Sequence, residues 1–126
     1  MINLLAVAFG GAASALGRYA IVVGIARLGG AGFPWATAVA NISGSLLMGL
    51  CWVVLEQRGL LDSPWRLFIL VGLLGGFTTF SSFSLETLNL IQQMRWGMAI
   101  TNAAFNFIGC LCATMVGMAL ARSVLV

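Results

Sequence analysis

"GGFTTFSSFSLE", residues 75–86, interrupts a stretch otherwise suited to lipid. Two glycines, two threonines, three serines and a glutamate alternate there with three phenylalanines. The charge-free run around it extends from Leu67 to Leu85. Gly72, Gly75 and Gly76 precede β-branched Thr78 and Thr79, a poor sequence for a continuous helix. Broken backbone at membrane depth is tolerated only where it is buried in protein or lines a cavity. Its freed carbonyls then point toward an ion or a partner subunit.

The rest of the chain places this stretch inside a membrane. A soluble domain carries about a quarter charged residues, whereas this chain of 126 residues is 7% charged and 61% hydrophobic, with mean hydropathy +1.07. Further charge-free windows run from Met1 to Gly17, Leu28 to Leu55 and Trp96 to Ala121. A bilayer core takes about 20 helical residues. The expected fold is therefore an all-α membrane protein, one domain over 1–126, with spans at approximately 4–26, 34–55, 67–93 and 97–120. The third is expected to break mid-membrane. The first window lacks a basic leader region and reads as a span rather than a cleaved signal peptide.

"RLGGAGFPW" (27–35), "EQRGLLDSPWR" (56–66) and "MRWG" (94–97) are the connections. Glycine and proline punctuate the first, and Asp62 or Ser63 before Pro64 reads as an N-cap with proline at N1. Short second and third connections predict antiparallel neighbours. "GGAASALG" (10–17) offers small-residue pairs such as Gly11/Ala15 and Ala13/Gly17, suited to close helix approach within or between subunits.

Arginines normally mark the cytoplasmic side. Here Arg58, Arg66 and Arg122 lie at one side, Arg27 and Arg95 at the other, with Arg18 inside span one. So slight a bias predicts insertion in both directions and pairing as an antiparallel homodimer.

Polar residues within spans face protein or water. Thr37, Asn41 and Ser45 recur every four positions and share one helical face, as do Asn106, Cys110 and Thr114. After the break Phe80 and Phe83 share a face, with Ser84 and Thr87 on or beside it. Amides and hydroxyls donate hydrogen bonds, and a phenyl edge is the positive end of its quadrupole, so the set suits a small anion. A full charge in the path would hold the ion too well for conduction. Arg18 either makes a vestibule electropositive or snorkels; Glu86 either pairs with Arg18 or accepts from the polar row. There is no His, and Cys110 and Cys112 fall on opposite sides of a helix, away from any shared metal. No basic cluster suggests nucleic acid, no phosphate loop a nucleotide, and no nucleophile–base pair an enzyme.

"GGFTTFSSFSLE", with "VANISGS" (39–45) and "GRY" (17–19), resembles the small dual-topology fluoride channels of bacteria, the Fluc or CrcB family. The resemblance covers all four spans. It implies an antiparallel homodimer in the bacterial cytoplasmic (inner) membrane, with two fluoride pores along the subunit interface and a structural Na+ at its centre. The sodium ligands it implies are the main-chain carbonyls of Gly75 and Thr78. The implied fluoride pathway comprises Asn41, Phe80, Phe83, Ser81 or Ser84, Asn106, Cys110 and Thr114, and Cys110 departs from an expected serine. The implied physiology is passive export of cytoplasmic fluoride and so fluoride resistance. Two other readings compete: a small multidrug antiporter, which needs a carboxylate in the first span that this chain lacks, and an accessory subunit whose polar rows are packing seams.

Overall fold

The computed structural model describes residues 1–30 and 32–125; Ala31, inside the first connection, lies outside the described residues. Four long apolar helices make up the fold: α1 (Ile2–Arg27), α2 (Trp35–Gln57), α3 (Pro64–Gln92) and α4 (Trp96–Leu125). Each is long and apolar enough to cross a membrane. Both outer helices extend past the expected ends, α1 toward Ile2 and α4 to Leu125, because nothing in either terminal stretch breaks a helix. α2 is the central helix, burying Thr37, Ala38, Ala40, Asn41, Gly44, Gly49, Val53 and Leu55.

The tightest packing joins alternate helices, and glycine makes it possible. A Cβ on Gly117 of α4 would stand 2.1 Å from the Leu46 carbonyl oxygen, and one on Gly49 of α2 would stand 2.2 Å from that of Thr114. On the other flank, a Cβ on Gly10 of α1 would lie 2.5 Å from the Phe68 carbonyl oxygen of α3, and Gly72 answers it from α3. Backbones therefore touch along both crossings, where van der Waals packing drives association in lipid. Within α1 it is Gly10 and Ser14 that are buried, while Gly11 meets nothing within 4 Å. The Gly11/Ala15 pair is thus left open on the surface of the single chain.

Three helices stop in the same way. At the end of α2 the Leu60 N–H bonds the Leu55 carbonyl at 2.8 Å and the Gly59 N–H that of Glu56 at 3.1 Å, with Gly59 at φ 65°. This reversal satisfies the last carbonyls from the chain itself. Gly29 repeats it after α1, and Met94, at φ 57°, repeats it after α3. α3 begins with Ser63 as N-cap and Pro64 in the first turn, but the Ser63 hydroxyl donates to Leu60 at 2.6 Å rather than capping.

Two stretches widen to i→i+5 turns, Leu67–Leu74 in α3 and Phe105–Gly109 in α4. Such turns cluster at functional sites. In α3 the helix stops at Phe77, Thr78 (φ −75°, ψ 147°) and Thr79 (φ −143°, ψ 112°) are extended, and the helix resumes over Phe80–Gln92.

Candidate functional site: a polar cleft beside an extended pair

The extended pair is held by one side chain. The Thr79 N–H donates to Asn41 Oδ1 at 2.6 Å, and Asn41 Nδ2 donates to the Thr79 carbonyl at 3.1 Å. Both ends of the Asn41 amide thus clamp one residue of backbone, and Asn41 itself is buried. The second Nδ2 hydrogen goes to Asn106 Oδ1 at 2.6 Å. Thr79 also caps the helix it precedes, its hydroxyl accepting from the Ser82 N–H at 3.2 Å. The sequence carried that signal as a threonine, a favoured N-cap residue, directly before the resumed helical run.

These bonds have a consequence for the carbonyls. In an uninterrupted helix the Thr79 N–H would serve the Gly75 carbonyl, and the Ser82 N–H that of Thr78. The first is turned to Asn41 and the second to the Thr79 hydroxyl. Gly75 and Thr78 therefore each lose their helical donor. Two hard oxygens, one on the last helical turn before the break and one in the extended pair, fit the donor set that unwound helices offer to Na+.

Asn41, Ser45, Met48, Thr78, Thr79, Phe80, Phe83, Asn106, Phe107, Cys110 and Thr114 surround a cleft of about 500 Å³. Six of the expected pathway residues meet there: Asn41, Phe80, Phe83, Asn106, Cys110 and Thr114. The Phe80 and Phe83 rings lie edge to face with centroids 5.3 Å apart, and Phe80 is 78% exposed. Ser81 and Ser84 are not brought into the cleft. The Ser84 hydroxyl donates to the Phe80 carbonyl at 2.9 Å, and Ser81 sits 3.2 Å from the Thr79 hydroxyl. Phe107, a third aromatic wall, and Ser45 are the additions that the structure makes.

Most donors around the cleft are already committed. The Thr114 hydroxyl lies 3.2 Å from the Ser45 carbonyl and 3.0 Å from that of Cys110. The Asn106 Nδ2 group donates to the carbonyl and side-chain oxygens of Asn102.

Arg18 and Glu86 occupy a second cleft, of about 430 Å³, with Tyr19, Thr37, Thr79 and Ser82. Glu86 Oε1 accepts from the Thr37 hydroxyl at 2.6 Å, and Oε2 is buried without a hydrogen-bond partner among the described residues. Of the two alternatives for Glu86, the single chain realises the bond to the α2 polar row. Thr79 is common to both clefts, so one extended residue stands between them.

Residues 5–118 match the family model described as CrcB-like protein, Camphor Resistance (CrcB). Among curated relatives, a protein of Caulobacter vibrioides named fluoride-specific ion channel FluC is 44% identical over 125 residues, covering 98% of each chain. Proteins of the same name from Magnetococcus marinus and Agrobacterium fabrum are each 40% identical, the first over 92% of this chain and 94% of its own, the second over 98% of both. A family model spanning all four helices, together with relatives matched over nearly their whole length, leaves one assignment: the chain belongs to the CrcB family.

Proposed function

We propose that the protein is a passive fluoride-selective channel that exports cytoplasmic fluoride and so protects against its toxicity. The observation that carries this reading is the convergence of Asn41, Phe80, Phe83, Asn106, Cys110 and Thr114 on one cleft, in a chain whose relatives are named fluoride channels. The lining combines uncharged polar groups with phenyl rings and other apolar side chains, and carries no formal charge. An anion passing there meets amide and hydroxyl dipoles and phenyl edges, which attract it without holding it. Hydrogen fluoride crosses lipid as a neutral acid and ionises in a less acidic cytoplasm. A passive path then lets the trapped anion leave down its electrochemical gradient, with no nucleotide and no catalytic group.

The cleft is one wall of a path. Phe80, Phe107, Leu111 and Met115 are all exposed on the single chain, and a second copy in antiparallel orientation would cover them, giving two equivalent pores. In that dimer the Gly75 and Thr78 carbonyls of both copies would hold a structural Na+ at membrane mid-depth, supplying positive charge that ties the two extended segments together. Near-balanced arginines support two-way insertion. A reporter fused after the C-terminus is expected on both faces of the bacterial inner membrane in comparable amounts; finding it on one face alone would remove the antiparallel dimer.

The test of the function is fluoride efflux. Purified protein in liposomes loaded with potassium fluoride is expected to release fluoride rapidly to an ion-selective electrode, while chloride-loaded vesicles retain their anion. Phe80→Ile and Phe83→Ile keep bulk but lose the positive ring edge, and each is expected to slow efflux about two- to tenfold, the scale of one aromatic contact of roughly 0.5–1.5 kcal/mol. Normal conduction by both would sink the aromatic part of the reading.

A further inference from the structure

Behind the cleft lies a polar side chain that the channel reading does not use. Asn102 of α4 has no exposed surface at all, 0%, in a helix that is otherwise mostly exposed. Burying an amide is costly unless its hydrogen bonds are made, and those of Asn102 are. Its Nδ2 donates to the Thr87 hydroxyl at 2.9 Å, and its Oδ1 accepts from Asn106 Nδ2 at 3.0 Å. Thr87 in turn donates to the Phe83 carbonyl at 2.7 Å. A single chain of bonds therefore runs from the extended residue Thr79 through Asn41, Asn106, Asn102 and Thr87 to the carbonyl of Phe83.

Backbone groups fix the direction of this chain at both ends. The Thr79 N–H can only donate, so Asn41 must offer it Oδ1 and turn Nδ2 outward. The Asn102 and Phe83 carbonyls can only accept, so Asn106 must turn Nδ2 toward Asn102, and Thr87 must spend its proton on Phe83. The Asn106 oxygen is thereby left facing Asn41, whose two Nδ2 hydrogens are both occupied. Asn41 has no N–H to spare for an anion unless an amide oxygen is displaced.

We propose that Asn102 is a positioning residue for anion selection: it holds the Asn106 amide with its oxygen on Asn41, so that an anion reaches the Asn41 N–H only by outcompeting that oxygen. Resting on the channel reading above, this adds a selection step to it. Fluoride, the strongest hydrogen-bond acceptor among the halides, displaces an amide oxygen; chloride accepts more weakly and does not. Without the Asn102 side chain, Asn106 Nδ2 keeps only the Asn102 main-chain carbonyl as acceptor; its amide then swings more freely, leaves the Asn41 N–H open more of the time and weakens the competition that excludes chloride. Neither Asn102 nor Thr87 lines the cleft, so both act through Asn106.

The discriminating variant is Thr87→Val, which keeps the shape of the side chain and removes the acceptor for Asn102. Its partner Thr87→Ser restores a hydroxyl. In full-length protein reconstituted in liposomes, reversal potentials under opposed fluoride and chloride gradients give the permeability ratio. Thr87→Val is expected to lower the fluoride-over-chloride ratio about fivefold, the scale of one neutral hydrogen bond, through faster chloride passage, and Thr87→Ser to return it to within about twofold of the parent. Asn102→Ala is expected to do the same as Thr87→Val. A ratio unchanged in Thr87→Val, or a fall that Thr87→Ser shares, overturns the proposal. A second readout is independent of transport: the Asn106 side-chain amide resonance, in protein selectively labelled with ¹⁵N-asparagine, is expected to exchange hydrogen faster in Thr87→Val than in the parent and Thr87→Ser, because one of its two acceptors on Asn102 is loosened. Absence of fluoride efflux in the parent itself overturns the channel reading, and the amide resonance then decides alone whether Asn102 holds Asn106.

Discussion

Asn41→Asp is expected to abolish fluoride efflux, slowing it by more than about a thousandfold, while Asn41→Ala slows it less. Two separate effects add in the aspartate. The first is loss of both Nδ2 donors, which leaves the Thr79 carbonyl and Asn106 Oδ1 without them. An acceptor left bare in a buried site costs about 1–3 kcal/mol, and both variants bear this. The second is a carboxylate in the wall of an anion path. At about 4 Å and an effective dielectric constant near 20, the repulsion between two like charges is roughly 4 kcal/mol, about a thousandfold in rate. Only the aspartate bears that term. Efflux from liposomes measured for both variants separates the two, and an Asn41→Asp protein conducting as well as Asn41→Ala would show that the anion does not pass this residue.

Gly117→Ala is expected to be the most damaging single methyl in the chain. Its Cβ would meet the Leu46 carbonyl oxygen at 2.1 Å, the Leu50 nitrogen at 3.0 Å and the Leu46 carbonyl carbon at 3.1 Å, all backbone atoms that cannot rotate aside. Gly49 opposite is held in the same way by Thr114 and Met118, so α2 and α4 can relax only by moving apart along their whole crossing. Overpacking of this kind costs about 1–3 kcal/mol and sometimes more, and a methyl aimed at backbone belongs at the upper end. A loss of several degrees to about ten degrees in Tm, at a scale of about 4 °C per kcal/mol where the ranges for smaller and larger chains meet, is expected in detergent, with aggregation on size exclusion. Gly24→Ala is the matching control, since nothing lies within 4 Å of a Cβ there, and helix propensity alone favours alanine by up to about 1 kcal/mol. Equal stability of the two variants would contradict the described packing of α2 on α4.

The four apolar helices and much of the cleft could be read from the sequence because both rest on periodicity. A repeat of four along α2 and along α4 carries Asn41 and Ser45, and Asn106, Cys110 and Thr114, to one side of each helix, and the structure sets those sides against each other. Periodicity fails across Thr78 and Thr79, where extended backbone restarts the helical phase. Ser81 or Ser84 enters the expected pathway through the family resemblance rather than through spacing, and in the single chain neither lines the cleft, the Ser84 hydroxyl turning onto its own helix. Asn102 was missed for a different reason: it continues the row of Asn106 by four residues, yet its importance lies in which acceptor each amide takes, and that depends on how closely α3 and α4 approach. The short loops predict α2–α3 and α3–α4 as neighbours, and both pairs do touch; the closest backbone contacts join α1 to α3 and α2 to α4, because interlocking glycines set approach distance and loop length does not.

The three helix stops bear on how such a chain enters a membrane. At Gly29, Gly59 and Met94 the final carbonyls are satisfied by the chain's own N–H groups, so these ends need no partner supplied by one compartment or the other. With local ends indifferent to the side on which they emerge, orientation is left to the arginines, which nearly balance. Under the proposed two-way insertion, the two orientations would be states of almost equal free energy, and each arginine near the surface of an anionic membrane weighs about 1 kcal/mol. One arginine gained or lost in a loop would tilt such a population roughly fivefold, starving one orientation of its counterpart. Under that proposal, surface arginine number would be a setting for subunit stoichiometry, and drift at a site far from the cleft would be felt as a shortage of complete dimers.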